Sequence, residues 1–162
     1  MLVVCDTSPI RALQTLHRVD LIKALFGGAI MPPAVAAELA IDAPEVGVFS
    51  VSDYPFLAVR TPADVRQVEA LRRELGPGES EALVLAAEIR ANYVLIDESI
   101  GRRVAARMGL EALGVLALLV EAKTKGLVES VAPLMHELEV RINFRVSTEV
   151  RRIILRDAGE ET

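Results

Sequence analysis

The sequence predicts an α/β fold in which helices flank a central, mostly parallel β-sheet. Short apolar stretches typical of strands alternate along the chain with longer segments of helical periodicity, an order characteristic of parallel sheets. Two of the stretches, 2–6 and 93–97, are apolar up to a final aspartate, and continuous apolar runs suit strands that are buried on both faces. The length of 162 residues fits one domain with a substantial core.

Composition limits the classes of protein to which the chain can belong. Hydrophobic residues make up 52% and charged residues 25% of the sequence, which indicates a folded globule and not a disordered chain. The net charge of −5 provides no overall attraction to nucleic acid, so any such contact would need a local basic patch. A single cysteine excludes an internal disulfide and a cysteine metal cage, and two histidines are too few for a histidine-rich metal site.

No membrane segment or secretion signal is expected. The longest apolar stretch, 112–120, is too short to span a bilayer. The chain opens on a predicted strand without the basic segment of a signal peptide. Together with the single cysteine, which fits a reducing compartment, these features predict a cytoplasmic protein.

The first predicted helix follows the aspartate of the first strand. Ser8 is a typical N-cap, and Pro9 suits the first helical position, so a helix over 8–17 is expected. A second helix, over 19–26, should end at Gly27, because glycine commonly terminates helices.

The remaining elements are predicted from periodicity and from the positions of proline and glycine. The segment 79–91 has an almost wholly apolar middle, which predicts a buried helix. The segment 42–54 contains scattered proline, glycine, serine and aspartate and supports only a weak helix or a loop. Further strands are expected at 29–31, 56–61 and 110–113, and further helices at 32–39, 62–75, 100–108, 114–125, 130–140 and 148–157.

Four carboxylates occupy positions where a divalent metal ion could use them. Asp6 and Asp97 end apolar strands, and α/β sheets bind ligands at the carboxyl ends of their strands. Glu81 lies on the nearly all-apolar helix with no basic residue within a turn, and burial of an unpaired carboxylate is costly. Glu38 lies close to the apolar face of its helix. Acids without matching bases are what a divalent ion with oxygen ligands requires.

Each acid also has a purely structural interpretation. Asp6 and Asp97 could cap the helices that follow them, and Glu38 could be an exposed acid favoured by the helix dipole. Glu79 is better explained by the same dipole than by chemistry. Glu98 could be a solvated helix residue or an additional ligand beside the metal.

Several other classes of enzyme lack their motifs. No glycine-rich fingerprint follows the first strand, which argues against a dinucleotide-binding fold. A Gly-x-x-x-x-Gly-Lys phosphate loop and a Gly-x-Ser-x-Gly elbow are both missing from the sequence. A phosphatase with an aspartyl nucleophile would need a second acid at the position of Ser8.

Taken together, five motifs resemble the PIN-domain family, in particular the prokaryotic branch that includes VapC-type toxin ribonucleases. The resemblance extends over most of the chain. The motifs are Asp6-Thr7-Ser8-Pro9, Pro33-x-x-x-x-Glu38-Leu39, Gly78-Glu79-Ser80-Glu81-Ala82, Leu95-Ile96-Asp97-Glu98 and Ala122-Lys123-Thr124-Lys125-Gly126-Leu127.

The resemblance implies a three-layer α/β/α fold, with one PIN-like domain over 1–162, and a ribonuclease that depends on Mg²⁺ or Mn²⁺. It assigns the catalytic and metal-binding positions to four acids and leaves four neighbouring residues as supporting or alternative positions. The four acids are Asp6, Glu38, Glu81 and Asp97, and the neighbouring residues are Thr7, Ser8, Glu79 and Glu98. Many relatives have aspartate where Glu81 stands, and relatives of this branch often have a Gly-Thr pair at Gly114-Val115.

RNA is the expected partner, and Arg11, Arg102 and Arg103 are candidates to bind its phosphates because they closely follow the two aspartates. The family also suggests a small antitoxin protein and a homodimer. The carboxy-terminal helices, about 130–157, could pack on the domain or on a second copy. An alternative function is that of a catalytically weak or inactive PIN-like module that acts through a protein partner or self-association.

Overall fold

The computed structural model describes residues 1–161 and confirms the predicted α/β architecture. A five-stranded sheet forms the centre, and all of its strand pairs are parallel. The strands are β1 (Val3–Cys5), β2 (Ala29–Met31), β3 (Leu57–Val59), β4 (Tyr93–Leu95) and β5 (Ala112–Leu113). Their order across the sheet is β3-β2-β1-β4-β5, so β1 and β4, the two strands that precede an aspartate, are neighbours.

Helices cover both faces of the sheet and complete the three-layer α/β/α fold. Residues 1–161 contain α1 (Thr7–Thr15), α2 (Asp20–Phe26), α3 (Pro33–Leu39), α4 (Val65–Leu71), α5 (Pro77–Glu88), α6 (Ser99–Arg107), α7 (Val115–Thr124), α8 (Ala132–Ile142) and α9 (Thr148–Asp157). Gly27, with a φ of 81°, ends α2 as predicted. Within the described part of the chain, none of these helices has both the length and the apolar character that crossing a bilayer requires.

Alternation along the central strand divides the core into two apolar layers. Val3 and Cys5 face one layer, which contains the apolar side chains of α1, α2, α7, α8 and α9. Val4 faces the other layer, which is built from α4, α5 and α6. Residues 82–86 of α5 are fully buried there, so the prediction of a buried helix is confirmed.

Three of the described helices, α1, α5 and α6, begin earlier than predicted, and the shifts of α1 and α5 affect the acids. Asp6 and not Ser8 occupies the N-cap position of α1, with an extended backbone at φ −85° and ψ 173°. The reason is that the Asp6 N–H donates to the carbonyl of Leu95 (2.9 Å), which extends the pairing of β1 with β4 by one residue. α5 begins at Pro77, with Gly76 as its N-cap, and so places Glu79 in the first helical turn.

The segment 42–54, for which only a weak helix or a loop was expected, is a loop with one short 3₁₀ turn at Val51–Asp53. Phe49 anchors it: its side chain is 2% exposed, and its N–H donates to the carbonyl of Leu39 (2.9 Å). The ring of Phe49 stacks on that of Tyr54 at 4.7 Å between centroids. The loop is therefore held against the end of α3.

The carboxy-terminal helices pack on the domain itself. Met135 of α8 and Ile154 of α9 belong to the same apolar layer as α1 and α7. After α9, the carboxylate of Glu160 accepts hydrogen bonds from the backbone N–H groups of Val131 (2.7 Å) and Ala132 (3.0 Å). These bonds satisfy donors at the start of α8 and connect the end of the chain to the fold.

Candidate active site

Asp6 is a buried acid at the carboxyl end of the central strand, with only 2% of its surface exposed. Burial raises the pKa of its carboxyl to about 7; the Thr7 N–H opposes the rise, and the carboxylates of Glu79, Glu38 and Glu98 add to it. Within residues 1–161, no basic side chain lies close enough to lower the pKa of Asp6. Asp6 therefore lies among acids, and among the described residues the cations near this edge act on its neighbours, Arg102 on Asp97 and Arg11 on Glu38.

A glutamate of α3 binds the amino-terminal end of α5, and a glutamate of α5 binds the amino-terminal end of α3. Glu38 of α3 accepts a hydrogen bond from the Gly78 N–H (3.1 Å), and its second oxygen accepts one from the Thr7 hydroxyl. Glu81 of α5 accepts one from the Ala34 N–H (3.1 Å). Of these two glutamates, only Glu38 raises the pKa of Asp6.

Glu79, which the sequence analysis treated as an alternative position, lies nearer the acidic group than Glu81. Burial raises the pKa of Glu79, the neighbouring carboxylates of Glu98 and Glu38 add to the rise, and the Gly76 N–H opposes it. Residues two apart on a helix point about 200° away from each other. Because Glu81 is directed to the amino-terminal end of α3, Glu79 is directed to the sheet edge.

Asp97 follows β4 and has one satisfied and one unsatisfied oxygen. Its Oδ1 accepts a hydrogen bond from the Val115 N–H (3.0 Å) at the start of α7. Its Oδ2 is buried and has no hydrogen-bond partner among the described residues. Burial raises the pKa of Asp97 to about 6, against the lowering effects of the Val115 N–H and Arg102, while Glu98 adds to the rise. Glu98, not Asp97, occupies the N-cap position of α6.

Three of the acids lie directly against a glycine, a feature that the sequence analysis missed. A Cβ added at Gly78 would lie 2.7 Å from Glu38 Oε2, one at Gly101 2.5 Å from Glu79 Oε2, and one at Gly114 2.8 Å from Asp97 Oδ1. Such distances are too short for any side chain, so these glycines make room for the carboxylates. Gly101 lies inside α6, where a glycine costs about 1 kcal/mol relative to alanine. This unfavourable position is the one signal in the sequence that indicates a close contact with an acid.

A cavity of about 520 Å³ opens beside the acids. It lies between the start of α1, the loop after β4 and the connection between α8 and α9. Thr7 and Ser8, two of the predicted supporting residues, line it together with Arg11, Asp97, Glu98, Ser99 and residues 142–145. A substrate can therefore reach Asp97 from solvent.

The three arginines predicted to bind RNA differ in their surroundings. The guanidinium of Arg11 donates to the carbonyls of Gly47 (2.8 Å), Ile41 (2.8 Å) and Glu38 (3.0 Å), and so fastens the loop after α3. Arg102 is exposed and donates to the Ile96 carbonyl at 3.3 Å, close to Asp97.

Arg103 is exposed on α6 and makes no hydrogen bond or ion pair within residues 1–161. Arg107, one helical turn further on, pairs with Glu74 at 3.0 Å on the surface. An RNA-binding role for Arg11, Arg102 and Arg103 stays a prediction, and Arg102 has the position closest to the acids.

The donor chemistry of this edge fits a hard divalent cation. The ionisable groups gathered around Asp6 are carboxylates, and Asp97 Oδ2 is a buried acceptor without a partner. Among residues 1–161, no three acidic, histidine or cysteine side chains converge closely enough to hold an ion between them. Mg²⁺ usually keeps several waters and binds one or two carboxylates directly, so an ion at this edge would be held partly through water.

A parallel sheet with acids gathered at its carboxyl edge defines an α/β protein with an acidic candidate site. The family model for the PIN domain matches residues 2–160. The chain therefore belongs to the PIN-domain family, as its motifs predicted. Proteins of this family are generally nucleases.

A similar fold occurs among solved structures. This chain is similar to a PilT N-terminus domain protein, SSO1118, from the hyperthermophilic archaeon Sulfolobus solfataricus P2, with a TM-score of 0.50 and 16% sequence identity. The alignment covers 75% of this chain and 93% of the archaeal chain. At this identity the similarity concerns the fold alone. No curated protein matches the sequence.

Proposed function

We propose that the protein is a ribonuclease that hydrolyses phosphodiester bonds with the help of Mg²⁺ or Mn²⁺. The observation that carries the proposal is that buried Asp6 has three carboxylates as its charged neighbours and no cation close enough to offset its own charge within residues 1–161. Like charges in a poorly solvated place repel one another, and a bound divalent cation relieves that repulsion. Membership of a family of nucleases supports the same function.

In this proposal Asp6, Asp97, Glu38 and Glu79 hold the metal, some of them through water, with Glu98 at the rim. Glu79 takes the place that the family resemblance gave to Glu81, because the charge of Glu79, and not that of Glu81, raises the pKa of Asp6. When bound, the ion supplies a water of lowered pKa and stabilises charge that develops on the phosphate.

The chain orients its acids with hydrogen bonds that do not depend on the ion. Thr7 and the Gly78 N–H hold one oxygen each of Glu38. The Val115 N–H holds Asp97 Oδ1 and leaves Oδ2 free. Val115 performs this task through its backbone, so its apolar side chain, which is fully buried, does not interfere.

Three further statements of the proposal are inferred from the family resemblance. RNA is the substrate, a small antitoxin protein inhibits the enzyme, and the protein forms a homodimer in the cytoplasm. The gene that encodes an antitoxin would be sought beside this one, and co-purification of its product would support a toxin–antitoxin pair.

The direct test is cleavage of a mixed single-stranded RNA with Mg²⁺, with Mn²⁺ and with a chelator. We expect cutting with either metal and none with the chelator. Thermal unfolding gives an independent result, because a ligand at about 100 times its dissociation constant stabilises the fold by about 2.7 kcal/mol. If neither metal produces cutting or raises the unfolding temperature, the chain is a PIN-like interaction module and the proposal is wrong.

Gly114→Ala should impair cleavage without unfolding the protein. The new Cβ would lie 2.8 Å from Asp97 Oδ1 and 2.9 Å from Arg102 Nη1, so Asp97 would have to move. The backbone of Gly114, at φ −85° and ψ 165°, accommodates alanine without strain. We expect the cleavage rate to fall at least about 10-fold, since small displacements of catalytic groups are costly. Full activity in a folded Gly114→Ala protein would exclude this role for Asp97.

A further inference from the structure

Two cavities meet at the short connection between α8 and α9. The first is the 520 Å³ cavity beside the acids. The second, of about 310 Å³, lies between the starts of α7 and α9 and is lined in part by Arg102 and Gly114. Asp97, Phe144 and Arg145 line both cavities. Phe144 and Arg145 therefore form a ridge between the cavities, and Asp97 borders both of them.

We propose that Phe144 and Arg145 form a binding ridge for single-stranded RNA, in which a base stacks on the Phe144 ring and a phosphate pairs with Arg145. The strand would then cross Asp97 with nucleotides on both sides of the ridge. This inference rests on the proposed function, which it extends by naming two residues that position the strand.

The ridge is held in place by its backbone. Asn143 ends α8 in the left-handed conformation, with a φ of 53°, which asparagine tolerates better than most residues. The Phe144 N–H donates to the Leu138 carbonyl at 3.2 Å. Phe144 is half-buried, so one part of its ring packs on the core while another part faces the cavities. A pre-positioned aromatic ring of this kind is what bases stack on in single-strand binding proteins.

Arg145 is a cation at the connection between α8 and α9 that is available to a ligand. The neighbouring arginines are engaged: Arg141 pairs with Glu137 at 3.0 Å, and Arg151 pairs with Glu139. Arg145 is exposed and has no ion-pair partner within the described residues 1–161. Because the nearby carboxylates repel phosphate, a strand needs a cation beside them, and Arg145 is placed to provide it.

An aromatic face selects for unpaired nucleotides. Bases inside a duplex are stacked on one another and present only their edges, whereas the bases of a single strand can be splayed onto a side chain. The chain has few aromatic residues and no tryptophan. Phe144 is the aromatic residue that lines the two cavities.

The test measures binding in a chelator, so that it does not depend on catalysis. The probe is a fluorescent single-stranded RNA, compared with the same RNA annealed to its complement, and the variants are Phe144→Leu, Phe144→Trp and Arg145→Ala. Arg152→Ala is the control, because Arg152 is an exposed arginine of α9 that lines neither cavity. Thermal unfolding of each variant establishes that it is folded.

We expect Phe144→Leu to weaken single-strand binding about 10-fold and Phe144→Trp to restore it, because a base–aromatic stack contributes on that scale. Arg145→Ala should weaken binding and lower the slope of log affinity against log salt by about 0.7, the value for one phosphate contact. The Arg152→Ala protein should bind the single strand as tightly as wild type does. Wild-type protein should bind the duplex RNA weakly.

Equal binding by folded Phe144→Leu, Arg145→Ala and wild-type proteins would overturn the inference, as would equal binding of duplex and single strand. The proposed function fails separately. A wild-type protein that binds the strand through Phe144 but does not cut it with metal would refute the nuclease and leave the ridge. A metal-dependent nuclease unaffected by both substitutions would refute the ridge alone.

Discussion

Asp6→Asn is expected to abolish metal-dependent RNA cleavage and at the same time to stabilise the metal-free protein at alkaline pH. Asparagine has nearly the same shape as aspartate but carries no charge, so it removes the acid at the centre of the group and keeps the packing. We expect the cleavage rate to fall by about 10³-fold or more, as for other losses of a central catalytic group.

The effect on stability follows from the sign of the pKa shift. The pKa of Asp6 is about 7 in the folded protein and 3.8 in its ordinary environment, so the folded state binds the proton more tightly. The stability from this group is fully present below about pH 4 and is lost as the pH rises through 7. At pH 8, where wild-type Asp6 is ionised, Asp6→Asn should be more stable by up to about 4 kcal/mol, since each unit between the two pKa values corresponds to about 1.4 kcal/mol.

Thermal unfolding in a chelator at pH 5 and pH 8 measures this difference. Asp53→Asn is the matched control, because Asp53 is an exposed aspartate far from the acidic group in sequence and outside both cavities. Asp6→Asn should also lose the stabilisation that Mg²⁺ or Mn²⁺ provides. Cleavage at the wild-type rate, or a lower unfolding temperature than wild type at pH 8, would contradict the role given to Asp6.

Glu79→Gln and Glu81→Gln should have opposite effects, although the two residues are separated by a single position. Glu79 belongs to the acidic group, so its neutralisation should lower metal-dependent cleavage at least about 10-fold. Glu81 binds the Ala34 N–H, and glutamine can still accept that hydrogen bond. Glu81→Gln should therefore cut RNA nearly as well as wild type and lose only about 0.5 kcal/mol of charge–dipole stabilisation.

The two variants are compared by cleavage rate at saturating Mn²⁺ and by unfolding temperature in a chelator. Glu79→Gln should unfold at an equal or higher temperature than wild type, because it relieves repulsion, whereas Glu81→Gln should unfold slightly lower. If Glu81→Gln is the variant that loses activity, the metal site includes Glu81 as the family resemblance first suggested, and the assignment of Glu79 is wrong.

The fold was largely predictable because local signals determine most of it. Continuous apolar runs mark β1 and β4, and Thr148–Asp157 is a helix with the predicted bounds. Asp6 and Asp97 follow neighbouring parallel strands, which places them at one edge of the sheet. Their proximity is a consequence of strand order, and both positions could be read from residues close to them in the chain.

Glu81 shows where such reasoning stops. From the sequence it is a carboxylate on an apolar helix with no base nearby, which is equally true of a metal ligand and of a helix cap. Its partner, the Ala34 N–H, is 47 residues away. The start of α5 at Pro77 instead of Glu79 also decides which acid faces the site, and helix starts are uncertain by a residue or two.

Phe144 and Arg145 were beyond prediction for a related reason. In the sequence they sit between two amphipathic helices and resemble any polar–apolar connection. Only the packing of α8 against α1 and of α9 against α7 carries this connection to the edge where β4 ends. The aromatic residue and the free cation acquire a possible function from that position and not from their spacing.

Hydrogen bonds of Glu38 and Glu81 join α3 to α5, so the site is complete only after these two helices have packed together. Each bond joins residues at least 40 positions apart, Glu38 with Gly78 and Glu81 with Ala34. Contacts of such long range form late, after the local helices and turns. A chain emerging during synthesis, or one opened by thermal fluctuation, therefore lacks a positioned Glu38. Under the proposed function, hydrolytic capacity would appear only in molecules in which α3 and α5 have packed together, and a partly folded copy would be inert toward RNA.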